Sequence, residues 1–433
     1  MLYFHGRALH TLSTSYSELD QLTEALTCAQ RCVSLSVSHH LHRDLLGAYA
    51  LRLVCALQDG ARTIPLAMLL DIPNEAFDAS SPPGLNLFLT CFGLRALQLG
   101  AHPAARRLLR LSLAHAQAHQ LVDRIAIAQY WLMHAHARLG AFREARMLYD
   151  EIRATHPNRR LLGNLPLAWC HVLVTTGKLV EACEVLREEP WVGREEQARA
   201  HLYRLWIRSL EGDRTAANEA RQLMETPEGA RLSVNEAEIM AQLGLRKLPL
   251  RFHMRAFGGT QFWRPGVPAP QWPRKKALAL LAHLALHPDG INSDELCDLL
   301  YRESETSDPS AALHTLAYKL RQVLGVLDAA DLLDATRGRY RFNWNEVAFC
   351  ELHEFEGLFR KAQSLERDGM AESAGLFYYM ATQLARGPLF HDLADGAFDE
   401  PRRAHAANLA HAYGFIATHV PHLRAVGEDT APV

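Results

Sequence analysis

The segment PSAALHTLAYKLRQVL, residues 309–324, is the most informative part of the chain. Asp308 can supply an N-cap, Pro309 suits the first helical position, and Gly325 ends the pattern. An α-helix turns by about 100° per residue, so residues three or four apart share a face. One face is apolar and is therefore predicted to be buried. It consists of Leu313, Leu316, Ala317, Leu320, Val323 and Leu324.

The opposite face of this predicted helix carries small, polar and aromatic side chains, with Lys319 and Arg321 beside it. Side chains that reach base edges, bordered by cations that meet phosphates, are what recognition of a DNA groove requires. For an isolated amphipathic helix, a face that only contacts water is the simpler interpretation. The neighbouring segments therefore have to decide between the two. The residues of this face are Ala311, His314, Thr315, Tyr318 and Gln322.

The segment after the helix predicts a short β-hairpin. LLDATRGRYRFN, residues 332–343, alternates apolar and polar residues on both sides of Arg337-Gly338. This alternation around a glycine predicts two strands joined by a turn, with cations at the tip.

The segment before the helix predicts two further helices. Residues 272–290 give an apolar helix that begins near Arg274, Lys275 and Lys276, a position that favours phosphate. Residues 293–301 predict a second, shorter helix. Residues 251–343 thus predict, in order, a strand ribbon, three helices and a hairpin. This order predicts a winged helix, a module that places one helix in the DNA major groove.

Several short motifs in this region carry a family resemblance. They are Gly258-Gly259, Trp272, Arg274-Lys275-Lys276, His287-Pro288-Asp289-Gly290 and Leu299-Leu300-Tyr301. Together they resemble the DNA-binding domain of Streptomyces antibiotic regulatory protein (SARP) type regulators, whose winged helix is similar to that of response regulators. The resemblance continues through the third helix and the hairpin, and it implies DNA contacts there. Tyr301 stands where the family has tryptophan, and the hairpin is one glycine shorter.

The segment after the hairpin resembles the start of the bacterial transcriptional activation domain (BTAD). The family's Phe-Glu entry corresponds to Phe355 and Glu356, preceded by Glu351, and its Gly-Pro loop corresponds to residues 385–390. The resemblance implies a helical domain that dimerises or contacts RNA polymerase. Because the segment ends at Val433, a short version of this domain is expected.

The first part of the chain has regularly spaced glycines between apolar helical patterns. Gly60, Gly100, Gly140, Gly177 and Gly212 are 40, 40, 37 and 35 residues apart. A period of this length predicts a helical solenoid. Residues 128–152 resemble a tetratricopeptide unit through Trp131, Ala135, Gly140, Phe142 and Ala145. The expected role is to bind a small-molecule or peptide effector, and the alternative is a spacer.

The sequence thus predicts a mainly α protein with three domains: a tetratricopeptide-like repeat domain (1–245), a winged helix with small β-ribbons (246–343), and a short BTAD-like helical domain (344–433). The chain has a formal net charge of −2. Residues 246–343 hold 14 Lys plus Arg against 10 Asp plus Glu, whereas residues 344–433 hold 7 against 13. Attraction to phosphate is therefore local and modest, so tight binding is expected to need more than one copy on DNA.

Other functional classes find little support. The sequence contains no phosphate-binding Gly-x-x-x-x-Gly-Lys-Ser/Thr loop, no Cys-x-x-Cys pair and no Gly-x-Ser-x-Gly elbow. Most of the eight cysteines lie on apolar helix faces, and Cys28 and Cys32, one helical turn apart, are expected to be buried core thiols. The His134 and His136 pair lacks the spacing and the carboxylate of a metal site. The sequence has neither an apolar segment long enough to span a membrane nor a signal sequence, so the protein is expected to be cytoplasmic. Because the catalytic motifs are missing, neither enzymatic activity nor a cofactor is expected.

The favoured interpretation is a sequence-specific DNA-binding transcription regulator that acts on promoter DNA. The alternative is an interaction scaffold whose winged helix docks protein instead of DNA. The predicted base contacts are made by His314, Thr315, Tyr318 and Gln322. The predicted phosphate contacts are made by Arg274, Lys275, Lys319 and Arg321. In the hairpin, Thr336, Arg337 and Arg339 are predicted to contact DNA, and the two arginines approach the minor groove.

Overall fold

The computed structural model is mainly helical with a few small sheets, as predicted. Among the helices in the described ranges, none combines the length and the apolar character needed to cross a membrane. The structure describes residues 22–39, 45–50, 52, 66–78, 82–155, 165–189, 191, 194–226, 228–229, 232, 236–245, 252–264, 267–268, 270–272, 275–301, 307–336, 338–385, 387–393 and 396–420.

The chain divides into two compact units, residues 1–249 and residues 250–433. The predicted boundary between 245 and 246 lies close to this division. The predicted boundary between 343 and 344 lies inside the second unit.

The first unit consists of helices in the described ranges. Each helix from α4 to α11 packs against a neighbour in sequence, and α4, α6, α8, α10 and α12 also pack against one another in series. Trp169 and Trp206 lie fully buried in the core of this series. The helices are α1 (Leu22–Ser38), α2 (Leu66–Leu70), α3 (Glu75–Asp78), α4 (Pro82–Gln98), α5 (His102–Ala118), α6 (Val122–Arg138), α7 (Phe142–Thr155), α8 (Leu165–Thr175), α9 (Leu179–Glu188), α10 (Arg194–Leu210), α11 (Ala216–Met224) and α12 (Ala237–Gln242).

Glycines end these helices in one repeated geometry. Gly140 has a φ of 74°, and the amide of Ala141 donates to the carbonyl of His136 at 2.9 Å. This is a Schellman motif, in which a left-handed residue satisfies carbonyls at the helix end. Gly100, Gly177 and Gly212 also have positive φ, as does Gly244, which the sequence analysis did not include. Gly60 lies outside the described residues.

The second unit begins with a strand pair and three helices, continues with a hairpin, and ends with three further helices. Its elements are β1 (Phe252–Arg255), β2 (Gln261–Trp263), α13 (Lys275–Leu286), β3 (Ile291–Asn292), α14 (Ser293–Tyr301), α15 (Pro309–Gly325), a 3-10 turn (Ala330–Leu332), β4 (Leu333–Thr336), β5 (Arg339–Phe342), a 3-10 turn (Trp344–Glu346), β6 (Val347–Cys350), α16 (Glu351–Arg367), α17 (Ala371–Leu384), a 3-10 turn (Gly396–Phe398) and α18 (Asp399–His419).

Two three-stranded sheets organise this unit. In one, β1 lies between β2, which is antiparallel, and β6, which is parallel to it. In the other, β5 lies between β3 and β4, and all the pairs are antiparallel. Because β6 lies beyond residue 343 and pairs with β1, the segment predicted as a separate third domain shares a sheet with the segment before it.

The backbone of the turn that follows β1 contacts the start of α16 and the loop after α17. A carboxylate oxygen of Glu351 accepts from the amides of Ala256 at 2.9 Å and Phe257 at 3.2 Å. A Cβ added to Gly387, which has a φ of +97°, would lie 3.1 Å from the Cα of Gly258. The glycine pair and the Gly-Pro loop noted in the sequence therefore contact each other.

Candidate functional site

Helix α15 has one buried and one exposed face, divided as predicted. The buried residues are Leu313, Leu316, Ala317, Leu320, Val323 and Leu324. On the other face, Ala311, His314, Thr315, Tyr318 and Gln322 are all exposed. Tyr318 is 60 % exposed, so its ring does not contribute to the core. An exposed aromatic ring among polar groups, on a helix anchored by its other face, is suited to contact another molecule.

The start of α15 is fixed by the cap that the sequence predicted. A carboxylate oxygen of Asp308 accepts from the amide of Ala311 at 3.0 Å, and Pro309 occupies the first turn. Near the start of the helix, the Thr315 hydroxyl donates to the carbonyl of Ala311 at 3.0 Å. This bond uses the hydroxyl proton but leaves its oxygen able to accept from another donor.

His314 is held by a tyrosine that the sequence analysis did not assign to the site. The hydroxyl of Tyr340 and Nδ1 of His314 lie 3.3 Å apart. Tyr340 lies in β5 with its ring fully buried, and burial raises its pKa, so the hydroxyl stays protonated. Because the inner positions of a strand alternate, Tyr340 was identifiable as an inward residue. Its contact with a helix 26 residues away was not.

Two arginines of the hairpin donate hydrogen bonds to backbone carbonyls of the turn before β3. Nη2 of Arg339 donates to the carbonyls of Asp289 at 3.1 Å and Gly290 at 3.2 Å. Nε of Arg341 also donates to Asp289, at 3.2 Å. Arg337 lies outside the described residues, and the Thr336 hydroxyl donates to Asp334 at 3.2 Å. Arg339 therefore holds the hairpin in place, in addition to the DNA contact predicted for it.

A third predicted phosphate ligand, Arg321, also has an acceptor within the protein. Its Nη2 donates to the carbonyl of Leu333 at 3.2 Å, which ties α15 to the first strand of the hairpin. Lys319, on the same helix, is partly exposed, and no acceptor for its ammonium group occurs in the part of the chain that the structure describes. The structure thus separates a cation that positions the hairpin from one that remains available to a ligand.

The cations at the start of α13 have different surroundings from one another. Nζ of Lys275 lies 3.4 Å from the carbonyl oxygen of Asp392. Nζ of Lys276 lies 4.2 Å from the centre of the Tyr301 ring, within the range of a cation–π contact. Arg274 lies outside the described residues. The aromatic residue at the end of α14 therefore covers one cation of this cluster.

A second group of polar and aromatic side chains lies within the first unit, on α6, α8 and α10. The Tyr203 hydroxyl lies 3.4 Å from Nδ1 of His171, and the His134 and His171 rings are 6.0 Å apart. Burial, the largest cause, lowers the pKa of His134 to about 3, so its imidazole is neutral at pH 7. Among the described residues no group of three or more His, Cys, Asp or Glu is arranged to hold a metal ion.

The pair of cysteines in α1 shows mixed burial. Cys32 is buried with Val33 and Ala48, whereas Cys28 is partly exposed. Both are free thiols. The prediction of a core thiol thus holds for Cys32 and only in part for Cys28.

Comparisons of the chain with protein-family models, with curated proteins and with solved structures find no match.

Proposed function

We propose that this chain is a sequence-specific DNA-binding transcription regulator. In this proposal the second unit is a winged helix with α15 as its recognition helix, and the first unit is a tetratricopeptide-like solenoid. The exposed face of α15 is the observation that supports it most. Its opposite face is buried, and Arg321 and His314 contact strands β4 and β5 of the β3–β5–β4 sheet. Its outer groups match the hydrogen-bonding needs of base edges.

The exposed residues of α15 take separate roles in this proposal. Gln322 offers both a donor and an acceptor, which suits adenine, and His314 and Thr315 offer single polar contacts. Tyr318 packs against bases or sugars. Lys319 meets phosphate, which positions the helix without selecting a sequence.

Arg321, Arg339 and Lys275, which already contact carbonyl groups of the protein, still contribute to phosphate binding in this proposal. A guanidinium has five N–H donors, and the contacts described for Arg321 and Arg339 use one nitrogen of each. Lys275 likewise has ammonium protons beyond the one directed at Asp392. Each therefore keeps donors for phosphate. Arg274 and Arg337 complete the predicted set.

The first unit is proposed to receive the signal. Successive helices α6, α8 and α10 place His134, His171 and Tyr203 together. This combination of aromatic faces and neutral polar groups suits a small-molecule or peptide effector. The acidic segment 344–433 is proposed to contact RNA polymerase or a second copy on DNA, within the cytoplasm.

The test is a titration of the full chain against random genomic duplex fragments at two salt concentrations. Fragments retained at the higher salt are sequenced. A shared motif among them, with affinity that falls steeply as salt rises, is the expected result. Retention without any shared motif would leave only nonspecific binding and would contradict the proposal.

The second candidate is a protein-interaction scaffold. The internal acceptors of Lys275, Arg321 and Arg339 favour it, because they reduce the number of cations that face solvent without a partner. A scaffold is expected to retain no DNA at either salt concentration.

A further inference from the structure

A cleft with a volume of about 440 Å³ lies within the second unit, away from the exposed face of α15. It is lined by residues of α13, α14, α16 and α18 and by the loop after α17. The partly exposed Leu286 and Leu299, together with the buried Leu352, Phe355 and Leu389, give it an apolar lining. Its volume falls within the range of about 300–1,000 Å³ that is typical of small-molecule sites.

Three carboxylates from three different helices line this cleft. They belong to Glu295 on α14, Glu356 on α16 and Glu400 on α18, and all three are exposed. Within the described ranges, none of them has a hydrogen-bond or ion-pair partner for its side chain, and no lysine or arginine lines the cleft. Like charges that share one concave surface create a negative potential that attracts cations.

Two buried imidazoles add neutral polar groups to the same cleft. His283 is 1 % exposed and His405 is 6 % exposed, and both line it. Nε2 of each is buried and has no hydrogen-bond partner among the described residues. Buried polar atoms normally have partners, so these two nitrogens leave hydrogen-bonding capacity unused beside the cleft.

The imidazoles of His283 and His405 do not oppose a cationic ligand. His283 stacks on Phe398 at 4.4 Å, and His405 stacks on Phe257 at 4.6 Å. Burial lowers the pKa of each histidine to about 4, so both are neutral at pH 7. Partial desolvation by the surrounding protein raises the pKa of the Glu356 carboxyl, although His353 and Arg360 partly offset this. A ligand cation would favour the ionised carboxylate.

We propose that this cleft binds a small organic cation with an apolar body. The ammonium or amidinium group lies among Glu295, Glu356 and Glu400, while the body packs on Leu286 and Leu299, which are partly exposed in the lining. Because α13 and α14 line one part of the cleft and α16 and α18 another, a bound ligand contacts both pairs of helices. The site is separate from the proposed DNA contacts, so either proposal can fail while the other stands.

The probes are a matched pair, phenylbutylamine and phenylbutyrate, which share an aromatic ring and chain and differ in the sign of their charge. Binding to the full chain is measured by saturation-transfer NMR and by calorimetry at pH 7. The amine is expected to bind, and the carboxylate is not. Equal binding of both probes, or of neither, would overturn the proposal.

Variants locate the binding within the cleft. Glu356→Gln is expected to lower the affinity for the amine by about twofold to fivefold, because one partly solvated ion pair contributes modestly to the binding free energy. Ala404→Trp places a large ring at an exposed lining position and is expected to abolish binding, with circular dichroism confirming the fold. Glu372→Gln, at an exposed position on α17, is the matched control and is expected to leave affinity unchanged. Amine binding that survives Ala404→Trp would place the site elsewhere.

Discussion

Tyr318 and Lys319 are neighbours on α15 with different expected roles on DNA. Tyr318→Ala is expected to change the preferred sequence and to cost about 1–3 kcal/mol on the favoured one, because Tyr318 would contact bases. Lys319→Ala is expected to weaken binding to every DNA sequence alike, and to reduce the slope of log affinity against log salt concentration by about 1. Titrations on the selected site and on single-base variants of it measure both effects.

The exposure of Tyr318 makes this comparison clean. Its ring is 60 % exposed, so its removal is expected to leave the unfolding midpoint close to that of the wild type. If both substitutions lowered affinity equally on all sequences, direct recognition by α15 would be wrong.

Gly387 is a second residue with a specific expectation. Its φ of +97° and the 3.1 Å approach of an added Cβ to Gly258 both oppose a side chain. Gly387→Ala is therefore expected to lower the free energy of unfolding by about 1–3 kcal/mol. Gly414→Ala is the control, since Gly414 is helical with open space around it, and there alanine is expected to stabilise by about 0.5–1 kcal/mol. Urea unfolding measures both, and equal effects would exclude the proposed backbone contact as the cause.

Among the elements, α15 depends on a cap that is local in sequence. Asp308 accepts from the amide of Ala311, so Asp308→Ala is expected to cost about 1 kcal/mol of stability. Asp308→Ser keeps an acceptor at the same position and is expected to recover most of that loss. The comparison is made by urea unfolding with circular dichroism at 222 nm, a wavelength that reports helix. An alanine variant as stable as the serine variant would show that the cap contributes little.

The whole molecule consists of two units, and the division between them leads to a prediction. Because residues 250–433 form a compact unit, a chain beginning at Leu250 is expected to fold alone and to bind the same DNA motif as the full chain. Circular dichroism and the fragment selection described above measure this. A fragment that folds but loses the motif would place part of the DNA interface in the first unit.

The two buried histidines of the second unit, His283 and His405, are expected to reduce its stability in acid. An unfolded histidine binds a proton near pH 6.5, whereas burial holds the pKa of His283 and His405 near 4 in the folded chain. Between these values the unfolded state binds more protons, so stability is lost as the pH falls from 7 toward 4. His405→Phe removes one such site and is expected to reduce the loss in urea unfolding at pH 5 relative to pH 7. An unchanged pH dependence would contradict the assigned pKa.

Local patterns in the sequence determined the helices of this protein, the two faces of α15 and the glycine-ended turns of the first unit. Helical period, caps and left-handed glycines act over a few residues, so the sequence expresses them directly. Tertiary structure alone decided which distant groups meet. It joined Arg339 to the turn at Gly290, Lys275 to Asp392 and β6 to β1, and it placed His283 and His405 in one cleft. These contacts join segments 49 to 122 residues apart, and only the packing of whole elements sets their register.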